Sequence, residues 1–168
     1  MKYRIPFVLI FGLLAINLLS NSCKKDTRTS LQSLLSSGGA WQLASVRYYI
    51  YAGDTVKVDT PLNTNCDTTQ IFTFNPDNSC TYSNFNCLAQ PLARGKWALS
   101  QNRQFLNSTM ICRDTTAAGS SNPFNNAQIV NLGQYSLVLL TGDIQNYNNS
   151  TRRKVIRYGF VRQKAATQ

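Results

Sequence analysis

The chain has 168 residues, with 17 Lys and Arg against 7 acidic residues, a formal net charge of +10 and no histidine. That length holds one domain of about 100–150 residues behind any targeting segment and excludes a second core. Every acidic residue is Asp, so the usual general base near neutral pH, the commonest metal ligand and all Glu are missing, and most enzyme templates fail.

In chain order, Lys2 and Arg4 form a basic start to an almost unbroken apolar run from Ile5 to Leu19. The run is too short and wrongly flanked for a stable transmembrane helix and reads as a secretory signal. Small residues then precede a cysteine in Leu19-Ser20-Asn21-Ser22-Cys23, and Lys24-Lys25-Asp26 turns sharply polar. This resembles a relaxed bacterial lipobox, with Asn21 an unusual residue inside it. The resemblance implies cleavage after residues 1–22 and acylation of Cys23, with several acyl chains making a durable membrane anchor. Lys24 rather than Asp after the cysteine implies sorting to the outer membrane, on the periplasmic side or the cell surface. An ordinary signal peptide cut nearby would instead leave Cys23 as an odd thiol in an oxidising compartment.

Residues 23–38 read as a polar, Ser/Thr-rich tether in which Leu31, Leu34 and Leu35 have the spacing of a short amphipathic helix, a plug for the domain beyond it. Gly38-Gly39 punctuates it. Over residues 39–168, short β-branched or aromatic runs alternate with Asn, Asp, Gly, Pro and Ser clusters, so the domain is expected to be all-β. Strands are expected near Trp41–Tyr51, Gln70–Asn75, Cys80–Phe85, Gly95–Leu99, Phe105–Cys112, Ala127–Leu132, Tyr135–Leu140 and Lys154–Arg162. Eight strands in hairpin order suit an antiparallel up-and-down barrel, which removes exposed edges and encloses either side chains or one small ligand. A two-sheet sandwich satisfies the same pattern.

The segment Phe74-Asn75-Pro76-Asp77-Asn78-Ser79 carries turn chemistry: Pro76 presets φ, and Asn78 tolerates the left-handed region. A type I turn with a bulge sets Phe74 opposite Cys80 and Phe72 opposite Tyr82 on the inner side. Running that register outward brings Cys66 within one residue of a position opposite Cys87, which makes Cys66–Cys87 the preferred disulfide. A Cys80–Cys87 bridge is disfavoured, because an extended segment puts those sulfurs on opposite faces and roughly 23 Å apart at about 3.3 Å per residue. Cys80–Cys112 is then the expected second bridge, one of three pairings open to four cysteines.

Three motifs in order carry a further resemblance: Trp41-Gln42-Leu43 opening the first strand, Ile71 to Ser79 at a hairpin, and Gly95-Lys96-Trp97-Ala98-Leu99. Together they resemble the lipocalin-like domains of bacterial lipoproteins, over about Gly39 to Lys164. Asn78 stands where such turns commonly carry glycine. The resemblance implies a small antiparallel barrel, a cysteine pair bracketing its second and third strands, and no catalytic residues. Trp41 and Trp97 each begin an alternating strand and read as core aromatics; with Phe72, Phe74 and Tyr82 they are the candidate barrel interior and ligand surface.

No chemistry-bearing constellation emerges. The aspartates lie mostly beside turn residues or in the tether and read as solvated turn and cap groups. The four distal cysteines lack close Cys-x-x-Cys pairs, so no metal is expected, and there is no phosphate loop or nucleophile elbow. The basic run Arg152-Arg153-Lys154 with Arg157, Arg162 and Lys164 reads as a solvated strand face, although anionic lipid is a partner such charge attracts. Ala117–Asn126 and Gln145–Ser150 form either a barrel mouth or surface insertions. Two functions fit: a membrane-anchored envelope module binding a small apolar or amphipathic ligand in its barrel, or an interaction or inhibitor protein using the barrel as a scaffold. Neither needs a cofactor or enzyme activity; no nucleic-acid partner is expected, and the chain is expected to be monomeric.

Overall fold

The computed structural model describes residues 30–87, 92–113, 120–145 and 151–163. The signal segment, Cys23 and the tether up to residue 29 lie outside the described residues, as do Asp26, Asp114 and parts of both polar loops.

The expected short helix is α1, Leu31–Ser36, in which the Ser30 side chain accepts a hydrogen bond from Ser33 N at 3.0 Å. A serine N-cap satisfies one of the amide donors that a helix start leaves open. The strands after it are β1 (Trp41–Ala52), β2 (Thr55–Pro61), β3 (Ile71–Phe74), β4 (Ser79–Ser83), β5 (Ala93–Leu99), β6 (Phe105–Ser108), β7 (Cys112–Arg113), β8 (Ser120–Ser121), β9 (Ala127–Leu132), β10 (Ser136–Gly142) and β11 (Arg152–Arg162). Nine of them form one antiparallel sheet in the order β11-β10-β9-β6-β5-β4-β3-β1-β2, and β1 also pairs with β11, so the sheet closes into a ring with β2 outside it. β7 and β8 pair separately.

All eight expected segments carry strands, and two differences have clear causes. β2 was not expected. Every one of its residues is exposed, so its short Val-Lys-Val-Asp pattern carries no buried face to signal a strand. It exists because β3 pairs with β1 only at Trp41 and Gln42, leaving the edge of β1 from Arg47 to Ala52 for β2 to cover. The expected strand Phe105–Cys112 instead breaks after Ser108. A Cβ on Gly95 would lie 2.6 Å from Met110 Cα, so the chain after β6 crosses directly over a glycine.

The β3–β4 hairpin has the expected register, with Phe74 opposite Cys80 and Phe72 opposite Tyr82. Asn78 adopts φ 64°, and the Asp77 carboxylate accepts from Ser79 N at 2.9 Å and Ser79 Oγ at 2.7 Å. Those bonds from Ser79 hold the Asp77 carboxyl below its usual range. In β1 a bulge between Leu43 and Ser45 shifts the alternation by one, so that Trp41, Leu43 and Val46 all face inward and are buried.

One end of the ring is closed by α1, whose Leu35 is fully buried. Trp41 Nε1 donates to Leu35 O at 3.0 Å. The Arg162 guanidinium lies 4.1 Å from the Trp41 ring centre and donates to Leu34 O and Gln134 O. At the other end Phe124 and Phe85 turn inward, both buried. Arg162 is therefore a clamp joining helix, first strand and last strand. Arg162→Ala is expected to lower stability by about 2 kcal/mol, the sum expected of a cation–π contact and charged hydrogen bonds. Chemical denaturation reads it, and a loss below about 0.5 kcal/mol would show that the clamp contributes nothing.

Candidate functional site

The five residues expected to line a ligand space, Trp41, Phe72, Phe74, Tyr82 and Trp97, do come together inside the ring, at 0, 0, 2, 0 and 3% exposure. They fill it. Phe72 lies 4.1 Å from Phe74 and 5.3 Å from Tyr82 between ring centres, Phe74 lies 5.4 Å from Trp97, and Phe124 stacks on Tyr82 at 5.5 Å. Tyr158 and Phe160 of β11 complete the cluster. The polar atoms that would orient a ligand are already engaged: Tyr82 OH donates to Gln70 Oε1 at 3.2 Å, and Trp97 Nε1 to Asn75 O at 3.1 Å. These aromatics are core.

Cys66 and Cys87 form the expected disulfide, with Cα atoms 5.7 Å apart. Cys80 and Cys112 do not form the second one; both are free, buried thiols. The expectation paired them by elimination, as the two cysteines left once Cys66–Cys87 is formed; Cys80 Sγ instead lies 3.4 Å from Ser108 Oγ, and Cys112 sits in the separate β7 beyond the end of β6. Burial pushes the Cys112 thiol up to about 12, with a smaller contribution from Cys80, and raises Cys80 as well. Tyr158 is likewise raised to about 12, chiefly by burial. A group that holds its proton more tightly when folded stabilises the fold fully below its unfolded pKa, and that contribution is lost as pH climbs toward the folded value. With ordinary values of 9.0 for Cys and 10.0 for Tyr, the contribution of these buried groups should hold up to about pH 9 and fall steadily toward pH 12. Denaturant midpoints measured across that range check it; a midpoint unchanged at pH 11 would contradict the buried ionisable interior.

Asp67 was expected to be a solvated turn aspartate but is only 5% exposed. It opens a one-turn 3-10 helix, Asp67–Thr69, directly after Cys66. Its carboxylate accepts from Asn63 Nδ2 at 2.7 Å, Thr64 N at 3.0 Å, Thr64 Oγ1 at 2.8 Å and Gln70 Nε2 at 3.2 Å. Gln70 in turn accepts from Asn86 N at 3.1 Å, so the knot ties the loop before β3 to the loop after β4. The one sequence clue was polar spacing, Asn63, Thr64 and Gln70 around a residue next to a bridged cysteine. Cys66, Asp67 and Cys87 place three potential ligand atoms within 4.8 Å of one another. The two sulfurs are bonded to each other, however, and metals bind thiolates, so the group is a structural knot.

The basic run is likewise not one solvated face. Arg153 is 7% exposed, lies 5.1 Å from the Tyr51 ring centre and donates to Gly53 O at 3.0 Å. Arg162 clamps Trp41 and α1 at the end of the ring. Arg47 makes a bidentate pair with Asp59, at 2.9 and 2.8 Å.

The described surface offers features of a different kind. β2 projects from the ring with exposed Val56 and Val58, and Leu62 comes just after it. Among the described residues no strand pairs with its outer edge. A groove of about 380 Å³ runs between α1 and the β5–β6 turn, past Gln32, Asn78, Ser100 and Arg103. A smaller cavity of about 180 Å³ lies on the outer wall beside Arg153. No protein-family model, curated protein or solved structure matches the chain.

Proposed function

We propose that the chain is a lipid-anchored envelope protein whose domain is a lipocalin-like barrel of eight strands, filled rather than hollow, that serves as a scaffold for protein contact without enzyme activity. The observation that carries this reading is the pairing of an aromatic-filled interior with a projecting, wholly exposed strand. Close ring packing in that interior favours a scaffold role over the internal ligand that the sequence suggested. An edge strand with unpaired backbone groups is a template for an added strand, and apolar side chains on it supply specificity. The partner of this reading is an extended segment of another envelope protein laid along β2. The anchor rests on Cys23 and its preceding segment; no helix of the described residues is long and apolar enough to cross a membrane.

Two measurements test it. Cys23→Ala should move the protein from the membrane fraction to the soluble periplasm and abolish incorporation of labelled palmitate; unchanged fractionation would refute the anchor. A photo-crosslinking residue at Val58 should give one discrete heterologous adduct in intact cells, and the same residue at Gln101, in the β5–β6 turn away from β2, should give none. Equal labelling from both positions, or only self-adducts, would refute strand addition to β2.

A further inference from the structure

Inside the wall, β10 and β11 place Leu137, Leu139, Tyr158 and Phe160. By alternation, Leu140, Arg153 and Val155 therefore face outward. Yet Val155 is 2% and Arg153 7% exposed, so a second, smaller packed region covers the outside of the wall. Tyr51 stands opposite Arg153 across the β1–β11 pair, and Ile144, 6% exposed, folds over from the segment after β10. Between these groups remains the cavity of about 180 Å³, lined by Tyr51, Gln128, Leu140, Ile144, Arg153 and Val155.

Its chemistry is two-sided. One part is aliphatic, from Leu140, Ile144 and Val155. The other is a guanidinium held in place by Tyr51 and Gly53 O, with the 95% exposed Asp54 carboxylate at 3.9 Å. A guanidinium presents its five N–H groups as a planar fork that matches a carboxylate. The volume is below the roughly 300 Å³ at which drug-sized ligands begin, so the ligand is small.

We propose that this outer-wall cavity binds a short-chain carboxylate, its alkyl end against Leu140, Ile144 and Val155 and its carboxylate on Arg153. The proposal is independent of the strand-addition reading, because the cavity does not include β2. Hexanoate titrated into the intact protein should shift the methyl resonances of Leu140, Ile144 and Val155 saturably, with hexanol and inorganic phosphate each at least about tenfold weaker, as expected for losing either a charged hydrogen bond or the apolar contact. Arg153→Met should remove the preference for hexanoate over hexanol. Leu140→Trp, which fills the cavity and leaves Arg153 in place, should abolish both. Equal binding of hexanoate and hexanol, tight binding of phosphate alone, or hexanoate binding undiminished in Leu140→Trp would each overturn the proposal. Should Arg153→Met fail to fold, Leu140→Trp decides it.

Discussion

Phe124→Ala is expected to cost about 3–5 kcal/mol, the range for removing a buried aromatic side chain. Phe124 belongs to no strand. It is presented by the turn Asn122-Pro123-Phe124-Asn125, where Asn125 N donates to Asn122 O at 3.3 Å, and Asn126 at φ 62° then leads into β9. From that turn its ring enters the core, fully buried, at 4.8 Å from Phe72, 5.5 Å from Tyr82 and 5.2 Å from Tyr158. Such aromatic pairs contribute beyond the area they bury. The void left by alanine would be lined by apolar rings, and a dry apolar cavity takes up small aromatic molecules. Urea unfolding of the variant, with and without benzene, therefore reads two quantities: a large loss of stability, and its partial recovery by ligand. A loss under about 1 kcal/mol would mean that the interior is not sealed by this residue.

Breaking the Cys66–Cys87 bridge, as Cys66→Ala with Cys87→Ala, is expected to cost about 3 kcal/mol, as for a bridge of similar loop length. The bridge spans 21 residues. It also holds two loops that the Asp67 and Gln70 hydrogen bonds join, and one of them is backbone-constrained: Asn84, Asn86 and Cys87 all have positive φ. Non-glycine residues in that region persist where surrounding contacts hold them. The double variant should therefore lose protection from amide exchange first in the loops around Asp67 and Asn86, while β9 to β11 remain protected. In the unmutated protein Cys80 and Cys112 should resist alkylation until denaturant is added, since thiolate, not thiol, reacts. Rapid native labelling of either cysteine would show that the interior opens more readily than its packing implies.

The parts of the molecule legible in the sequence are those governed by local rules. Turn chemistry at Asn75 to Ser79 and the alternation on either side set the β3–β4 register, and with it the position of Cys66 opposite Cys87. Leu31, Leu34 and Leu35 marked a helix that is indeed there. β2 was not legible, because an exposed strand buries neither face and its existence depends on how far β3 extends along β1. The early end of β6 has a similar reason, since the crossing of Met110 over Gly95 is a contact between distant segments; the second disulfide, reached by elimination, has no local pattern behind it and is not formed. Charged residues usually stand in solvent, so nothing along the chain marks Asp67, Arg153 and Arg162 as packed; only their neighbours, Gln70, Tyr51 and Trp41, show it.

By itself, then, the sequence determined an all-β domain, the places of its eight ring strands along the chain, one disulfide and five of the inward-facing aromatics, since periodicity and turn residues act over a few positions along the chain. Tertiary structure alone decided that the eight strands close into a ring with those aromatics packed together inside it, that a ninth strand projects from it, and that a buried arginine and an aliphatic cavity lie on its outer wall. Each of those depends on the separation of groups far apart in the chain, and no local pattern encodes such a distance.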